Sequence, residues 1–310
     1  MEMMRVAVVG GGISGLVAAY VLAKDGAEVV LYEKEDSLGG HAKTVTVNGN
    51  ALDLGFMVFS QVTCPNMMEL FETLAVDMEL SDMSSFSTTC SGLSSLFAQK
   101  KNILNPCFWK IIREITKFKN DASNYVEKIE NNADVDRNET LGHFLQLRGY
   151  SELFQKAFLI PTCATIWSCS SEVTSFSAYS VLPFLLNHHT FELFNCRQRL
   201  IPRWHSQSFI TRTKEELQSR GCQIRTNSEI YSVLTNDTGC VVMCKDGSKE
   251  VYDGCIIATH APDALKMLGK QATYDELRIL GAFQYANRYA YLLPFNIHSL
   301  SFTLKKANKG

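Results

Sequence analysis

Three glycines and one carboxylate near the start of the chain have the spacing of a nucleotide-binding turn. Gly10, Gly12 and Gly15 fit the pattern G-x-G-x-x-G directly after the apolar run RVAVV. In such a turn the first glycine permits a tight bend, the second lets a pyrophosphate approach the backbone, and the third lets a helix pack closely on the strand. Glu33 ends the next apolar run, where its carboxylate can accept hydrogen bonds from both ribose hydroxyls of an adenosine and would repel a 2′-phosphate.

The surrounding segments predict a βαβ unit that positions these residues. Residues 5–9 predict a buried strand, residues 13–24 predict a helix that stops at Gly26, and AEVVLYE predicts a second strand that ends at Glu33. The first helical turn, with Ile13 and Ser14, then directs its N–H groups toward a bound anion. Three interpretations stay open at this point: a flavin site, a nicotinamide site, or a glycine-rich turn without a ligand. We include Lys34 among the candidate cofactor-binding residues.

A second glycine pair distinguishes between these interpretations. Gly39 and Gly40 lie in EKEDSLGGHAKT, with His41 directly after them, and a simple nicotinamide domain does not need this pair. Together with LDLGFMVF, which contains Asp53 and Gly55, this run resembles the FAD-dependent amine oxidase and phytoene desaturase superfamily. The resemblance implies that FAD is the cofactor. It also implies that the glycine pair lies along the FAD pyrophosphate and ribityl chain, and that the D-x-G approaches the flavin. By the same resemblance, His41 is a candidate cofactor-binding residue near the flavin.

A later segment resembles the way in which this superfamily returns to its nucleotide domain. TRTKEELQSRG predicts a helix, and CQIRT, EIYSVL, GCVVMCK and EVYD predict short strands that form a β-meander. CIIATHAP then predicts a buried strand that ends near Thr259 and His260. The resemblance implies that the backbone near Ile230 packs against the adenine and that Thr259 lies at the nucleotide face. His260 is considered a possible functional residue on the same grounds.

The resemblance is closest to the N-terminal flavoprotein-like part of plant cyclopropane fatty acid synthases. GGHAKT, DLGFMVF, RNETLG, IWSC, SFSAYSVL and YDELRILGAFQY carry it, over roughly residues 4–285. The methyltransferase half of those synthases has no counterpart, so we expect no S-adenosylmethionine-dependent activity. After Gln284 the sequence lacks the superfamily's final glycine-and-acid element. We therefore expect a chain that is truncated at the flavin-ring side of the site, with the region 86–92 shortened as well.

These observations predict an α/β fold with a discontinuous Rossmann-like FAD- or NAD(P)-binding domain, a β-meander and an inserted helical cap. The expected domain boundaries assign residues 1–75 to the first FAD-binding segment, 76–206 to the helical cap and substrate domain, and 207–285 to the return segment. A divergent tail occupies residues 286–310.

The middle of the sequence contains few residues that indicate chemistry. The apolar positions after Pro106 recur at helical spacing, which is typical of core packing. Core packing is also the favoured interpretation of Trp167, and a partly buried helical pair is the favoured one for His188 and His189. No Ser–His–Asp set, metal-ligand cluster or P-loop is present. Since a flavin itself carries the redox chemistry in this superfamily, no side chain can be named as catalytic, and no metal is expected.

Composition excludes several other classes. The 310 residues have a net charge of −2 and no basic stripe, which disfavours nucleic-acid binding. No signal peptide and no apolar run long enough to span a bilayer are found, so we expect a cytoplasmic protein with reduced cysteines. Neither the oligomeric state nor the electron acceptor can be predicted.

Two functions therefore remain. The first is an FAD-dependent oxidoreductase of the amine oxidase-like type, which would act on an amine or on a small or lipid-linked substrate. The second is a catalytically inactive nucleotide-binding remnant or interaction module, associated with a lipid-modifying enzyme. A plain NAD-dependent dehydrogenase is disfavoured by the Gly39–Gly40 loop.

Overall fold

The structure is a computed structural model. It describes residues 3–47, 50–53, 64–81, 104–131, 136–167, 171–187, 199–202 and 205–283. Gly55, residues 86–92, His188, His189 and the tail from residue 284 lie outside this set, so the expectations for them are not addressed below.

A four-stranded parallel sheet carries the glycine turn. Strand β1 (Arg5–Val9) leads through the turn into helix α1 (Ile13–Lys24), and β2 (Glu28–Tyr32) follows. Two distant strands complete the sheet, with β7 (Gln223–Arg225) beside β2 and β11 (Gly254–Ile257) beside β1. The prediction that β11 is a buried strand was wrong, because it lies at the edge of the described sheet and Ile256 is exposed. The predicted first strand and helix are confirmed, whereas the second strand ends one residue before Glu33.

The apolar runs of β1 and β2 are continuous because both faces of the sheet are covered. Val8 and Leu31 point to the face that packs against α1, and Ala7 and Val30 point to the opposite face. All four side chains are fully buried. This two-sided burial is the reason why these strands do not alternate between polar and apolar residues.

The opposite face is covered by a β-meander, which confirms the prediction for EIYSVL, GCVVMCK and EVYD. Its strands are β8 (Ile230–Asn236), β9 (Gly239–Cys244) and β10 (Lys249–Tyr252), all antiparallel. The prediction was wrong for CQIRT, which forms β7 of the parallel sheet. The hydroxyl groups of Tyr32 on β2 and Tyr252 on β10 are hydrogen-bonded at 2.6 Å, which joins the meander to the parallel sheet.

A charged cluster reinforces this junction. Glu250 on β10 accepts hydrogen bonds from Arg225 on β7 and, at 2.9 Å, from Arg5 on β1. The Tyr252 hydroxyl also donates to Glu250 at 3.0 Å. The bond from Arg225 is the main reason why the pKa of Glu250 falls to about 2, and the bonds from Arg5 and Tyr252 act in the same direction.

Two antiparallel strand pairs lie beside the parallel sheet. They join β3 (Thr44–Val47) to β4 (Asn50–Asp53), and β5 (Met78–Ser81) to β6 (Arg199–Pro202). Helix α2 (Pro65–Thr73) lies between β4 and β5 in the sequence. Helix α8 (His205–Ser219) packs against α1 through the buried ring of Phe209, and it begins six residues before the predicted helix at TRTKEELQSRG. The predicted domain boundary at residue 206 therefore falls inside this helix.

The described residues between β5 and β6, namely 104–131, 136–167 and 171–187, form a helical unit with its own core. Its helices are α3 (Pro106–Asn131), α4 (Leu141–Leu147), α5 (Glu152–Phe154), α6 (Ile160–Trp167) and α7 (Ala178–Asn187). A π-helical segment at Gln155–Leu159 joins α5 to α6, and a 3-10 turn occupies Ser171–Ser175. The predicted apolar stripe after Pro106 is confirmed as core, since Phe118 is fully buried among the rings of Phe144, Tyr150 and Phe154.

Two helices follow β11, namely α9 (Ala261–Leu268) and α10 (Tyr274–Gly281), with a 3-10 turn at Gly269–Gln271 between them. In the described ranges, no helix combines the length and the apolar character needed to cross a membrane. The seven cysteines in these ranges are free thiols.

Candidate nucleotide-binding site

The glycine turn between β1 and α1 is packed so tightly that two of its glycines cannot carry a side chain. Gly10 has a φ of +108°, and a Cβ atom there would lie 2.5 Å from the Ala258 carbonyl oxygen. A Cβ atom on Gly15 would lie 1.8 Å from the Gly10 carbonyl oxygen. The protein's own backbone therefore explains the first and third glycines of the motif.

Gly12 is different, because the described residues give no packing reason for it. Its φ is −72°, and a Cβ atom there would have no described protein atom within 4 Å. Gly12 is also the N-cap of α1, so it offers no side chain to cap the N–H groups of Ile13 and Ser14. An anion close to the backbone fits both observations, since it would use those N–H groups and would be displaced by a side chain at position 12.

The second glycine pair lies directly against this turn. The Gly39 N–H donates to the Gly11 carbonyl oxygen at 2.8 Å, and Gly12 and Gly39 form an isolated parallel bridge. Gly39 and Gly40 both have positive φ values, of +116° and +57°. A Cβ atom on Gly40 would lie 3.1 Å from the Gly12 Cα. The pair thus brings a second stretch of backbone to the place where the pyrophosphate is expected.

Glu33 is a buried carboxylate held by two backbone donors. Its Oε2 accepts from the Gly11 N–H at 2.6 Å, and its Oε1 accepts from the Glu35 N–H at 2.9 Å. Only 8% of the residue is exposed. Each carboxylate oxygen retains a further lone pair, so the fixed side chain can still accept hydrogen bonds from the two ribose hydroxyls. It is the one carboxylate among the candidate residues.

A third loop approaches the turn from β11. Thr259 follows Ala258, and its methyl carbon lies 3.3 Å from the position that a Gly10 Cβ would occupy. His260 comes next and is the N-cap of α9. Its ring stacks on that of His41, with the centroids 5.3 Å apart and an interplanar angle of 21°. The side chains of His41 and Lys34 are both exposed, and Lys34 is close enough to Asp263 of α9 for its charge to lower the pKa of that carboxylate.

Ile230 lies at the start of β8, and its side chain is buried in the core between the meander and the parallel sheet. The residues before it approach Glu33, because the Ser228 N–H donates to the Glu33 carbonyl oxygen at 2.8 Å. The Asn227 N–H likewise donates to the Glu35 carbonyl oxygen at 2.9 Å. The structure therefore brings the backbone that leads into Ile230 to the adenosine side of the site. That Ile230 contacts the adenine stays a prediction.

Trp167 and Asp53 make contacts that stabilise the fold. Trp167 packs against the core of the helical unit, near the rings of Phe176 and Phe184. Asp53 of the D-x-G motif accepts from the Ser206 N–H at 3.0 Å, so its carboxylate stabilises the N-terminus of α8. The expectation that this motif approaches the flavin is not tested by the described residues.

Sequence reasoning missed one participant and one contact. Gly11, which lies between the first two glycines of the motif, donates its N–H to the Glu33 carboxylate and so fixes it. This contact can be seen only in the folded turn. His260 was considered, but its stacking on His41 has no sequence signal because 219 positions separate the two residues. Within the described ranges, no group of three or more His, Cys, Asp or Glu side chains could hold a metal ion.

Comparison with known proteins identifies the family and the fold. Residues 13–285 match the protein family described as flavin containing amine oxidoreductase. A solved putrescine oxidase with bound putrescine superposes with a TM-score of 0.65, at 19% identity, over 90% of this chain and 63% of that one. A putative protoporphyrinogen oxidase from Exiguobacterium sp. 255-15 gives a TM-score of 0.60, at 19% identity, over 90% and 64%. These likenesses confirm the α/β fold.

Curated relatives match over shorter stretches. A carotenoid 3,4-desaturase from Haloarcula japonica is 54% identical over 50 residues, which are 16% of this chain and 10% of that protein. A 1-hydroxycarotenoid 3,4-desaturase from Flavobacterium is 35% identical over 78 residues, or 25% and 15%. The chain thus spans about two thirds of the solved structures and a small part of the curated relatives. Because the family match extends over most of the 310 residues, the chain belongs to the flavin-containing amine oxidoreductase family, with FAD as its cofactor.

Proposed function

We propose that this chain binds FAD through the glycine turn and acts as an oxidoreductase on an amine or on a small, apolar, lipid-linked molecule. The observation that carries the proposal is the environment of Gly12. The backbone is open there, although the neighbouring glycines are enclosed by protein atoms. Bound FAD would supply the redox chemistry.

The residues of the chain would hold the adenosine half of the cofactor. The N–H groups of Ile13 and Ser14 and the backbone of Gly39 and Gly40 would contact the pyrophosphate. Glu33 would accept from the ribose hydroxyls, since Gly11 and Glu35 already orient its carboxylate. A fixed acceptor binds more tightly than a mobile one because no side-chain entropy is lost on binding.

The substrate class rests on similarity. The carotenoid desaturases are named for apolar substrates, and the putrescine oxidase was solved with an amine bound. The resemblance to the flavoprotein-like part of cyclopropane fatty acid synthases favours a lipid-linked substrate. We assign its recognition to the helical unit at 104–187, the described part of the predicted cap, which would cover the flavin from the sheet's carboxyl edge. We also propose a cytoplasmic location.

A second candidate is a nucleotide-binding module without catalytic activity. The observation that favours it is that the best-defined contacts of the site, those of Glu33 with the N–H groups of Gly11 and Glu35, would serve to bind a nucleotide and not to transfer electrons. Such a module would keep the affinity for FAD, or for its AMP half alone, and would act through a partner.

A pair of glycine variants tests the proposal. Gly12→Ala and Gly254→Ala each place a methyl group where no described atom lies within 4 Å, at a backbone conformation that alanine adopts. We expect both variants to fold. In titrations followed by flavin fluorescence, Gly12→Ala should bind FAD at least tenfold more weakly than the wild type, whereas Gly254→Ala should match it. Equal affinities for all three proteins would contradict the proposed site.

A substrate screen separates the two candidates. The FAD-loaded chain is mixed with amines and with apolar polyenes, and bleaching of the flavin absorption is recorded in the absence of oxygen. Bleaching by one class supports the oxidoreductase and names the substrate class. A chain that binds FAD tightly but is bleached by no compound supports the binding module.

A further inference from the structure

The stacked pair of His41 and His260 joins two loops that are far apart in the sequence. His41 follows the second glycine pair, and His260 follows β11 and caps α9. The two rings are nearly parallel, with their centroids 5.3 Å apart. Both residues are exposed at the surface, so the stack is not part of a hydrophobic core.

The two loops flank the glycine turn on either side. Gly40, the neighbour of His41, approaches Gly12 so closely that a Cβ atom on Gly40 would lie 3.1 Å from the Gly12 Cα. Ala258, two residues before His260, places its carbonyl oxygen against Gly10. The two histidines are therefore held by loops whose backbone lies against the turn on which the pyrophosphate of the cofactor would rest.

Charged groups of both signs lie around the pair. Lys43 is two positions after His41, and the exposed Glu35 and Asp36 lie in the loop that leads to His41. Asp263, in the first turn of α9, is bonded to Lys266 at 3.0 Å. That hydrogen bond, together with the charges of Lys266, Lys34 and His260, lowers the pKa of Asp263.

A pyrophosphate beside the two rings would stabilise an imidazolium through its negative charges, and both nitrogens of a protonated ring are hydrogen-bond donors. Histidine side chains ordinarily change their charge between pH 5 and 8. Binding of the anion and uptake of a proton are then coupled, and each strengthens the other.

We propose that His41 and His260 form a proton-dependent clasp on the cofactor pyrophosphate, so that FAD binds more tightly as the pH falls from 8.5 to 5.5. The proposal rests on the proposed function, because it assumes that FAD occupies the glycine turn. It adds that the affinity is set by pH through these two side chains. The pyrophosphate itself stays ionised over this range, so the protons must bind to the protein.

Isothermal titration calorimetry of the apoprotein with FAD tests the proposed clasp. Titrations at pH 5.5, 6.5, 7.5 and 8.5, each in two buffers of different ionisation enthalpy, give both the affinity and the number of protons taken up. We expect the wild type to bind FAD about tenfold more tightly at pH 5.5 than at pH 8.5, with net proton uptake near the middle of the range.

Three variants identify the responsible groups. His41→Asn and His260→Asn should each bind FAD with little dependence on pH. His143→Asn, which changes an exposed histidine of the helical unit, should behave like the wild type. Circular dichroism checks folding, and the proton count of the wild type stands independently if a variant fails to fold.

The possible failures are distinguishable. If no protein binds FAD at any pH, the proposed function and the clasp are both wrong. If the wild type binds FAD equally well across the range, or if both histidine variants keep its pH dependence, the clasp is wrong while the FAD site stands.

Discussion

At the scale of single residues, the site combines glycines that the fold requires with one that a ligand explains. Gly10 and Gly15 are enclosed by backbone atoms, whereas Gly12 is open. The spacing of the motif predicts all three, because each role follows from the geometry of a strand-to-helix turn. It does not predict which of the three would tolerate a side chain, since that depends on Ala258 and the other neighbours in space.

Glu33 allows a direct test of the adenosine side. Glu33→Gln keeps the shape but presents an amide in place of one of the two carboxylate oxygens that accept from Gly11 and Glu35. We expect FAD affinity to fall about tenfold to a hundredfold, in line with the loss of charge-assisted hydrogen bonds of roughly 1.5–3 kcal/mol. Fluorescence titration gives the value, and Glu35→Gln, at an exposed side chain, is the matched control. If Glu33→Gln binds FAD with wild-type affinity, Glu33 does not contact the cofactor.

At the scale of the elements, the sequence predicts segments whose pattern is local and misses contacts that are distant. Strands β1 and β2 and the three strands of the meander are predicted, because continuous apolar runs and the turn at residues 246–248 mark them. The membership of β7 in the parallel sheet is not, because its pairing with β2 is distant in the sequence. The pairing of β5 with β6 is not predicted, because Met78 and Pro202 meet only once the intervening chain has folded. The π-helical segment at Gln155–Leu159 likewise has no local signal.

The charged junction between the meander and the sheet predicts a specific acid sensitivity. The pKa of Glu250 is lowered to about 2, chiefly by its bond from Arg225, and the pKa of an unfolded glutamate is near 4.3. Glu250 therefore contributes stability that is complete above about pH 4.5 and is lost as the pH falls toward 2. Its contribution at neutral pH is about 1–3 kcal/mol, since the side chain is partly exposed.

Urea denaturation at several pH values between 7 and 3 measures this contribution. Glu250→Gln should lower the free energy of unfolding at pH 7 and should weaken its dependence on pH below 4.5. Glu229→Gln is the control, because Glu229 forms its ion pair with Lys245 at the exposed surface. The assignment fails if the Glu250 and Glu229 variants have the same pH profile.

At the scale of the whole molecule, the chain builds separate cores for the sheet and for the helical unit. Phe209 is fully buried beside α1, and Phe118 is fully buried among aromatic rings of the helical unit. The sequence predicts this division into a nucleotide part and an inserted cap. It places the second boundary inside α8, because helix starts are set by capping contacts such as that of Asp53 with Ser206.

Matched phenylalanine variants should separate the two cores. Phe118→Ala and Phe209→Ala each remove a fully buried ring, at an expected cost of about 3–5 kcal/mol. At a temperature where both proteins remain folded, Phe209→Ala should weaken FAD binding because it loosens the helix that packs on α1. Phe118→Ala should lower the melting temperature with little change in FAD affinity. A similar loss of FAD affinity in both variants would show that the two cores act as one.

The pairing of β5 with β6 determines how freely the segment between these two strands can vary. Ser81 and Arg199 are partners in the ladder, so the chain leaves for the helical unit and returns from it about 5 Å apart. The cost of closing such an excursion grows only slowly with its length. We therefore expect the helical unit to be replaceable. A shorter, longer or unrelated insert between Ser81 and Arg199 should leave the strand register of the nucleotide-binding sheet unchanged.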